Sequence, residues 1–209
     1  MPCENIVKYL YNDSESGLKI PTPKFILSII GGTGNFRIDR ETENAFKTGL
    51  MKVAKINDTW IITGAINTGI IRLVGDAVDE DLNSKHLIVL GITSRNRIYG
   101  SYSKLKRAEE IVTDENTECL NSHHSSFIFV DTQNQTNEIQ FRNNLEKHLQ
   151  KSLQIPFFLI VVNGGYNTLK TISDVLKHNM SVILVAVSIL VSHFFLFSRS
   201  LRSINTGLP

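Results

Sequence analysis

Cysteine is scarce in this chain. The 209 residues hold two, Cys3 and Cys119, too few and too far apart for a disulfide framework, and a reducing compartment is the simpler setting. Neither sign of charge is much in excess: 22 basic residues stand against 20 acidic ones. This balance gives no reason to expect nucleic-acid binding, which needs a concentrated basic face. Residues 1–24 contain no apolar segment of the secretory-signal type. There is no internal repeat and no low-complexity tract. No Ser/His/Asp or Cys/His set suited to nucleophilic catalysis is visible. His123-His124 lacks the spacing and partners of a metal site and reads as a solvated loop.

What is present in quantity is the apolar run followed by a glycine turn. Trp60-Ile-Ile-Thr-Gly-Ala-Ile-Asn-Thr-Gly-Ile70 has an echo upstream in Ile29-Ile-Gly-Gly-Thr-Gly-Asn-Phe36 and another downstream in Val162-Asn-Gly-Gly-Tyr-Asn-Thr168. Each run stops at a turn carrying Asn or Thr, and a helical pattern follows. Strands are expected at Phe25 to Ile30, Thr59 to Thr63, His86 to Ile92, Phe127 to Asp131, Phe157 to Val162 and Ser181 to Val187. Between them, Phe46, Leu50, Val53 and Ala54, then Val74, Ala77 and Val78, then Phe141, Leu145 and Leu149, then Leu169, Ile172 and Leu176 recur at helical spacing. Asp39 caps the first of these helices, with Glu41 and Glu43 complementing its dipole. Trp60, at a strand start, is expected in the core. Strand-helix alternation implies an α/β fold, a Rossmann-like parallel sheet flanked by helices with right-handed crossovers. Residues 93–126 have no clear period and read as an excursion from the sheet.

In such sheets ligands bind beyond the carboxyl ends of the strands, where all three glycine turns are expected. Main-chain donors there, together with helix N-termini, suit an anion of the nucleotide kind. The candidate ligand-binding residues are Gly31, Gly32 and Asn35 in the first turn; Gly64, Asn67, Thr68 and Gly69 in the second; and Gly164, Gly165, Asn167 and Thr168 in the third. The alternative is that these glycines only permit tight turns, and that Asn67 and Thr68 only cap a helix. Arg95, Arg97, Lys104, Lys106 and Arg107 begin just past the third strand, as a solvated face or as anion partners.

These motifs, taken in order, resemble the cytosolic N-terminal region of melastatin-type transient receptor potential (TRPM) channels, which opens with a SLOG-type Rossmann-like domain. The resemblance spans about residues 21–187. It is carried by Pro21-Thr-Pro23, the segment Ser28 to Phe36, Lys52-Val-Ala54, Thr59 to Gly69, Val74-Gly-Asp-Ala77, Cys119 to Asp131, Leu145-Glu-Lys-His148 and Val162 to Thr168. It implies a domain of a tetrameric cation channel in the plasma membrane, with the other subunits and domains of that channel as partners and ADP-ribose or a related nucleotide as ligand. Ile30 departs from the family, which often has a small or polar residue before Gly-Gly. So do Ser94 and Arg95, where a Trp-Gly pair is usual.

SLOG relatives also include phosphoribohydrolases, whose hallmark resembles Pro-Gly-Gly-x-Gly-Thr followed by paired carboxylates. Here Asn163-Gly-Gly-Tyr-Asn-Thr168 is followed, after Leu169, by Lys170 and Thr171, so the acids that glycosidic chemistry uses are missing. The resemblance thus implies sensing rather than turnover, with a structural contact module as the other reading. Residues 1–20 are expected to be a lead-in, and 21–187 the domain. From His178 to Ser198 no residue carries a fixed charge, which makes 181–198 a borderline membrane segment. Ser181 to Val187 nevertheless reads as a buried strand, leaving 188–209 as an atypical apolar tail that the domain accommodates poorly.

Overall fold

A computed structural model of the chain describes residues 3–11, 20–33, 36–56, 58–81, 84–95, 97–98, 119–131 and 135–185. Its elements are α1 (Cys3–Tyr11), β1 (Phe25–Gly31), α2 (Arg40–Ala54), β2 (Thr59–Gly64), α3 (Gly69–Asp79), β3 (Ile88–Ser94), β4 (Ser126–Val130), α4 (Gln135–Leu153), β5 (Phe157–Val162), α5 (Tyr166–Lys177) and β6 (Ser181–Val185). The six strands form one sheet in the order β4-β3-β2-β1-β5-β6, every neighbouring pair parallel. This is the expected Rossmann-like architecture. The chain winds outward from β1 to β4, recrosses through α4, and resumes on the other side of β1.

Alternation along the strands sorts side chains into two cores. Ile26, Trp60, Ile62, Leu90, Leu159 and Val161 pack with Val7 and Leu10 of α1, Leu145 and Leu149 of α4, and Ile172 and Val175 of α5. Leu27, Ile29, Ile61 and Val89 pack with Phe46 and Leu50 of α2 and Ile70, Val74 and Ala77 of α3. Trp60 is buried, as its place in the sequence suggested, and its Nε1 donates to the Pro21 carbonyl at 2.9 Å. Asp39 caps α2, one carboxylate oxygen accepting from the Thr42 amide at 2.9 Å and the other from the Thr42 hydroxyl at 2.6 Å.

Three differences from the sequence reading stand out. β3 begins at Ile88 rather than His86, because Ser84–His86 closes a 3-10 turn first. β6, expected as a buried strand, is instead the edge of the sheet, with Ser181 and Ile183 exposed and Val182, Leu184 and Val185 half-buried, because only one neighbouring strand flanks it; 186–187 lie outside the described residues. The lead-in contains α1, a helix absent from the sequence reading; its Val7 and Leu10 are buried against the sheet's first core, and the Ile20 amide bonds to the Leu10 carbonyl at 3.0 Å. Of the cationic excursion, Lys104, Lys106 and Arg107 lie outside the described residues, as does the tail 188–209.

Close approach of β1 and β5 fixes the centre of the sheet. A Cβ at Gly31 would collide with the Val162 carbonyl, which is backbone and cannot swing away. Gly49, inside α2, has nothing within 4 Å of where a Cβ would sit. Gly31→Ala is therefore expected to lower stability by about 1–3 kcal/mol. Gly49→Ala is expected to raise it by roughly 0.5–1 kcal/mol, since alanine is the better helix former. Urea midpoints of the two variants should move in opposite directions; a Gly31→Ala midpoint at or above the wild type would contradict the close approach.

Candidate functional site

The strand order places β2, β1 and β5 side by side, so the turns at Gly31-Gly32, Gly64 and Gly164-Gly165 share one edge of the sheet. The chain reverses direction across the sheet between β1 and β5, the topological switch point where α/β sheets open a crevice. A cleft of about 370 Å³ lies there. It is walled by Ile29 to Thr33 of the first turn, Thr63 to Ala65 of the second and Gly165 to Thr168 of the third, with Ile70, Ile71, Arg97, Glu138, Ile139, Arg142 and Thr171 completing it.

The sequence candidates divide. Gly31, Gly32, Gly64, Gly165, Asn167 and Thr168 line the cleft; Asn67, Thr68, Gly69 and Gly164 lie in the turns outside its lining; Asn35 is outside the described residues. Gly69 has a positive φ of 51° and faces the Gly32 carbonyl and Thr33 so closely that no Cβ would fit. The Ile70 amide, in the first turn of α3, donates to that carbonyl at 3.0 Å. One N-terminal donor of α3 is thus taken up in holding the first two turns together. Thr68 occupies the N-cap position without a side-chain cap bond, and the Asn67 side-chain oxygen accepts from the Asn121 side-chain Nδ2 at 3.0 Å.

The third turn is the more open one. Asn163 takes a left-handed φ of 61° and accepts from the Gly164 amide at 2.9 Å. Gly165 then caps α5, whose first turn carries no acidic residue, and the Thr168 hydroxyl reaches back to the Gly165 amide at 3.3 Å. Helix geometry leaves the amides of Tyr166, Asn167 and Thr168 without intrahelical acceptors, and all three residues border the cleft. A Cβ on Gly165 would meet nothing within 4 Å.

Sequence reasoning missed the polar side chains that α4 brings to the cleft. Arg142 donates through Nε to Glu146 at 2.8 Å, and through Nη2 to the Ser28 hydroxyl at 2.8 Å and to the carbonyls of Ile29 and Ile62 at 3.1 and 2.9 Å. Ser28 in turn donates to Glu146 at 2.7 Å, and both are buried. Glu138 accepts from the Ser94 amide at 2.6 Å and lies 3.6 Å from Arg97. Thr63 lines the cleft fully buried, its hydroxyl without a hydrogen-bond partner among the described residues. The available signals were Ser28, a lone hydroxyl in an apolar strand, and the i,i+4 spacing of Arg142 and Glu146 beside the stripe of Leu145 and Leu149.

The loop of residues 119–125 braces the second turn from behind, through bonds from the Asn67 amide to the Cys119 carbonyl at 2.8 Å and from the Asn121 amide to the Ala65 carbonyl at 2.9 Å. Within it His123 lies 3.3 Å from Asp79. His124 corrects the solvated-loop reading: it is buried and stacked on Phe127, with the missing side chain of Gly91 making room for its ring. Burial holds its imidazole down to about 4, opposed by the Gly64 backbone and helped to a smaller extent by neighbouring His123.

Comparison with known proteins agrees with this architecture. Residues 2–203 match the family model described as SLOG in TRPM. The chain is 32% identical over 205 residues to transient receptor potential cation channel subfamily M member 2 of Rattus norvegicus, covering 87% of this chain and 14% of that protein. It is 31% identical over 190 residues to subfamily M member 6 of Homo sapiens, covering 79% and 9%. The subfamily M member-like 2 protein of Nematostella vectensis is 27% identical over 190 residues, covering 78% and 12%. The chain thus spans about a seventh or less of the length of these relatives.

Two outcomes follow from the buried groups. Glu146→Ala strands the Arg142 guanidinium inside the sheet face and is expected to cost about 3–5 kcal/mol, whereas Ser28→Ala should cost about 1–2 kcal/mol; equal, small losses in urea unfolding would contradict the cluster. For His124 the unfolded chain binds the extra proton between about 6.5 and 4. Its contribution is therefore complete above pH 6.5 and lost as pH falls toward 4, by roughly 3 kcal/mol in total. Urea midpoints from pH 7 to 4.5 should fall less steeply in His124→Phe than in the wild type, and identical slopes would refute this account of His124.

Proposed function

We propose, for a chain that belongs to the SLOG domains of TRPM channels, that it is a ligand-sensing module whose cleft takes a nucleotide diphosphate of the ADP-ribose kind. The observation that carries this reading is the N-terminus of α5. Its first residues, Tyr166, Asn167 and Thr168, border a cleft at the switch point, and helix N-termini favour phosphate. Gly165 leaves room for close approach, and Arg142 and Arg97 border the same cleft. Binding there biases a larger assembly: a tetrameric cation channel whose pore lies in other parts of the protein and whose other subunits and domains contact this one on the cytosolic side. Among the described residues no helix is long and apolar enough to cross a membrane, and conduction belongs to those other parts.

Two other readings each have one observation in their favour. A purely structural module is favoured by Gly31 and Gly69, whose packing alone accounts for the absence of side chains. A hydrolase is favoured by Glu138, a carboxylate in the cleft wall. Glycosidic chemistry ordinarily uses a pair of carboxylates. Glu138 is already held by the Ser94 amide and Arg97, and Lys170 and Thr171 stand where relatives of the enzyme type carry acids.

Calorimetric titration of the full chain with a panel of adenine nucleotides, ADP-ribose included, is expected to give saturable heat. Gly165→Leu, which exchanges a favourable N-cap for a poor one, should lower stability by no more than about 1 kcal/mol while weakening that binding about tenfold or more, about 1.4 kcal/mol per decade. The same incubations should release no nucleobase. Silence across the panel would support the structural reading, and catalytic release of base the enzymatic one.

A further inference from the structure

β5 and β6 carry apolar side chains on both faces, and among the described residues only one face is covered. Toward α4 and α5, Phe157, Leu159 and Val161 are buried, and Val182 and Leu184 pack on the same core. Toward α2, Phe158, Ile160 and Val185 are only partly buried and Ile183 is 44% exposed. Central β2, by contrast, is buried from Thr59 to Thr63 on both faces. Parallel strands with this composition belong between two covering layers. The winding explains the gap. Right-handed crossovers put α2 and α3 over one face on the way out to β4, and put α5 over the opposite face on the way from β5 to β6.

The bare strip and the flank of α2 form a groove of about 530 Å³, walled by Phe25, Phe46, Leu50, Phe158, Ile183 and Val185 among others; Thr42 is the one polar side chain in the wall. Gly49 lies in that wall with open space where its side chain would be.

We propose that this groove is the docking site for the chain's own residues 188–197, Ser-Ile-Leu-Val-Ser-His-Phe-Phe-Leu-Phe. The segment begins three residues after Val185, which is itself part of the wall, so the tether gives it a high effective concentration over any separate partner. No residue from His178 to Ser198 carries a fixed charge, and no residue in the wall is ionisable. Left in water, the four aromatic and aliphatic residues from Phe194 to Phe197 would form an aggregation-prone patch. Nothing in the sequence pattern showed a place for this segment, and the uncovered face supplies one. Docking completes the layer that the crossover rule leaves open over β5 and β6.

Cysteine proximity tests this in the full chain. With Cys3 and Cys119 changed to serine, Gly49→Cys is combined with single cysteines placed in turn at positions 190–196, and each pair is oxidised. A disulfide requires Cα atoms within about 7 Å, so a subset of positions should close within the monomer, visible as a shift on a non-reducing gel. In a second measurement, chymotryptic cleavage at Phe194, Phe195 and Phe197 should run at least tenfold faster in Gly49→Trp, whose indole fills the groove, than in the wild type. Absence of any intrachain disulfide overturns the proposal, and so does equal cleavage in the two proteins. Disulfides formed only between chains would assign the groove to a second copy, and flotation of the uncross-linked chain on phosphatidylcholine vesicles would assign the segment to a membrane; either result also overturns it.

Discussion

Arg142 is fastened at four points: to Glu146 on its own helix, to the Ser28 hydroxyl on β1, and to the main-chain carbonyls of Ile29 on β1 and Ile62 on β2. A guanidinium in this position cannot be left half-satisfied, because an unpaired buried charge costs several kcal/mol. The bond set therefore fixes where α4 crosses the sheet. α4 is the element that carries the chain from the β4 edge back to β5, which pairs with β1 and so sets the switch point between them. The same side chain borders the cleft. Fold and candidate site share this one anchor, and the net worth of the ion pair matters less than the penalty for breaking it.

The glycine turns were legible in the sequence because their signals are local. An apolar run, a glycine pair and a helix start each lie within a few residues, and the strand periods around Phe25, Thr59 and Phe157 carried the topology. Which turn presents helix-end amides to the cleft was not legible. The Gly64 to Gly69 turn and the Gly164 to Thr168 turn both carry Asn and Thr at the start of a helix, so the sequence does not separate them. The geometry spends an amide of α3 on the Gly32 carbonyl and lodges Asn67 against Asn121, while the residues that open α5 border the cleft. That distinction depends on how two turns stack, which no single segment encodes. Arg142 and Glu138 were missed for a similar reason. Each is a charged residue on an exposed-looking helix pattern until the crossover brings that face over the strand ends.

Burial followed the same logic. His124 read as one of two histidines in a polar loop, yet Gly91 on β3 opens a slot that the imidazole fills beside Phe127. α1 lay in a lead-in without a capping signal, and its Val7 and Leu10 find their core only once the sheet exists. The apolar strands β5 and β6 were recognised correctly as strands. That one of their faces stands uncovered among the described residues follows from crossover handedness rather than from composition, and it gives the apolar stretch that follows β6 a structural context.

The central claim is that the amides opening α5 receive a phosphate-bearing ligand in the cleft between β1 and β5. Backbone amide chemical-shift mapping of the full chain during titration with ADP-ribose tests it most directly. The account predicts saturable shifts concentrated at Tyr166, Asn167 and Thr168 and at the Gly31-Gly32 turn, with little change along α2. Saturable shifts centred elsewhere, or none at these amides, would contradict it.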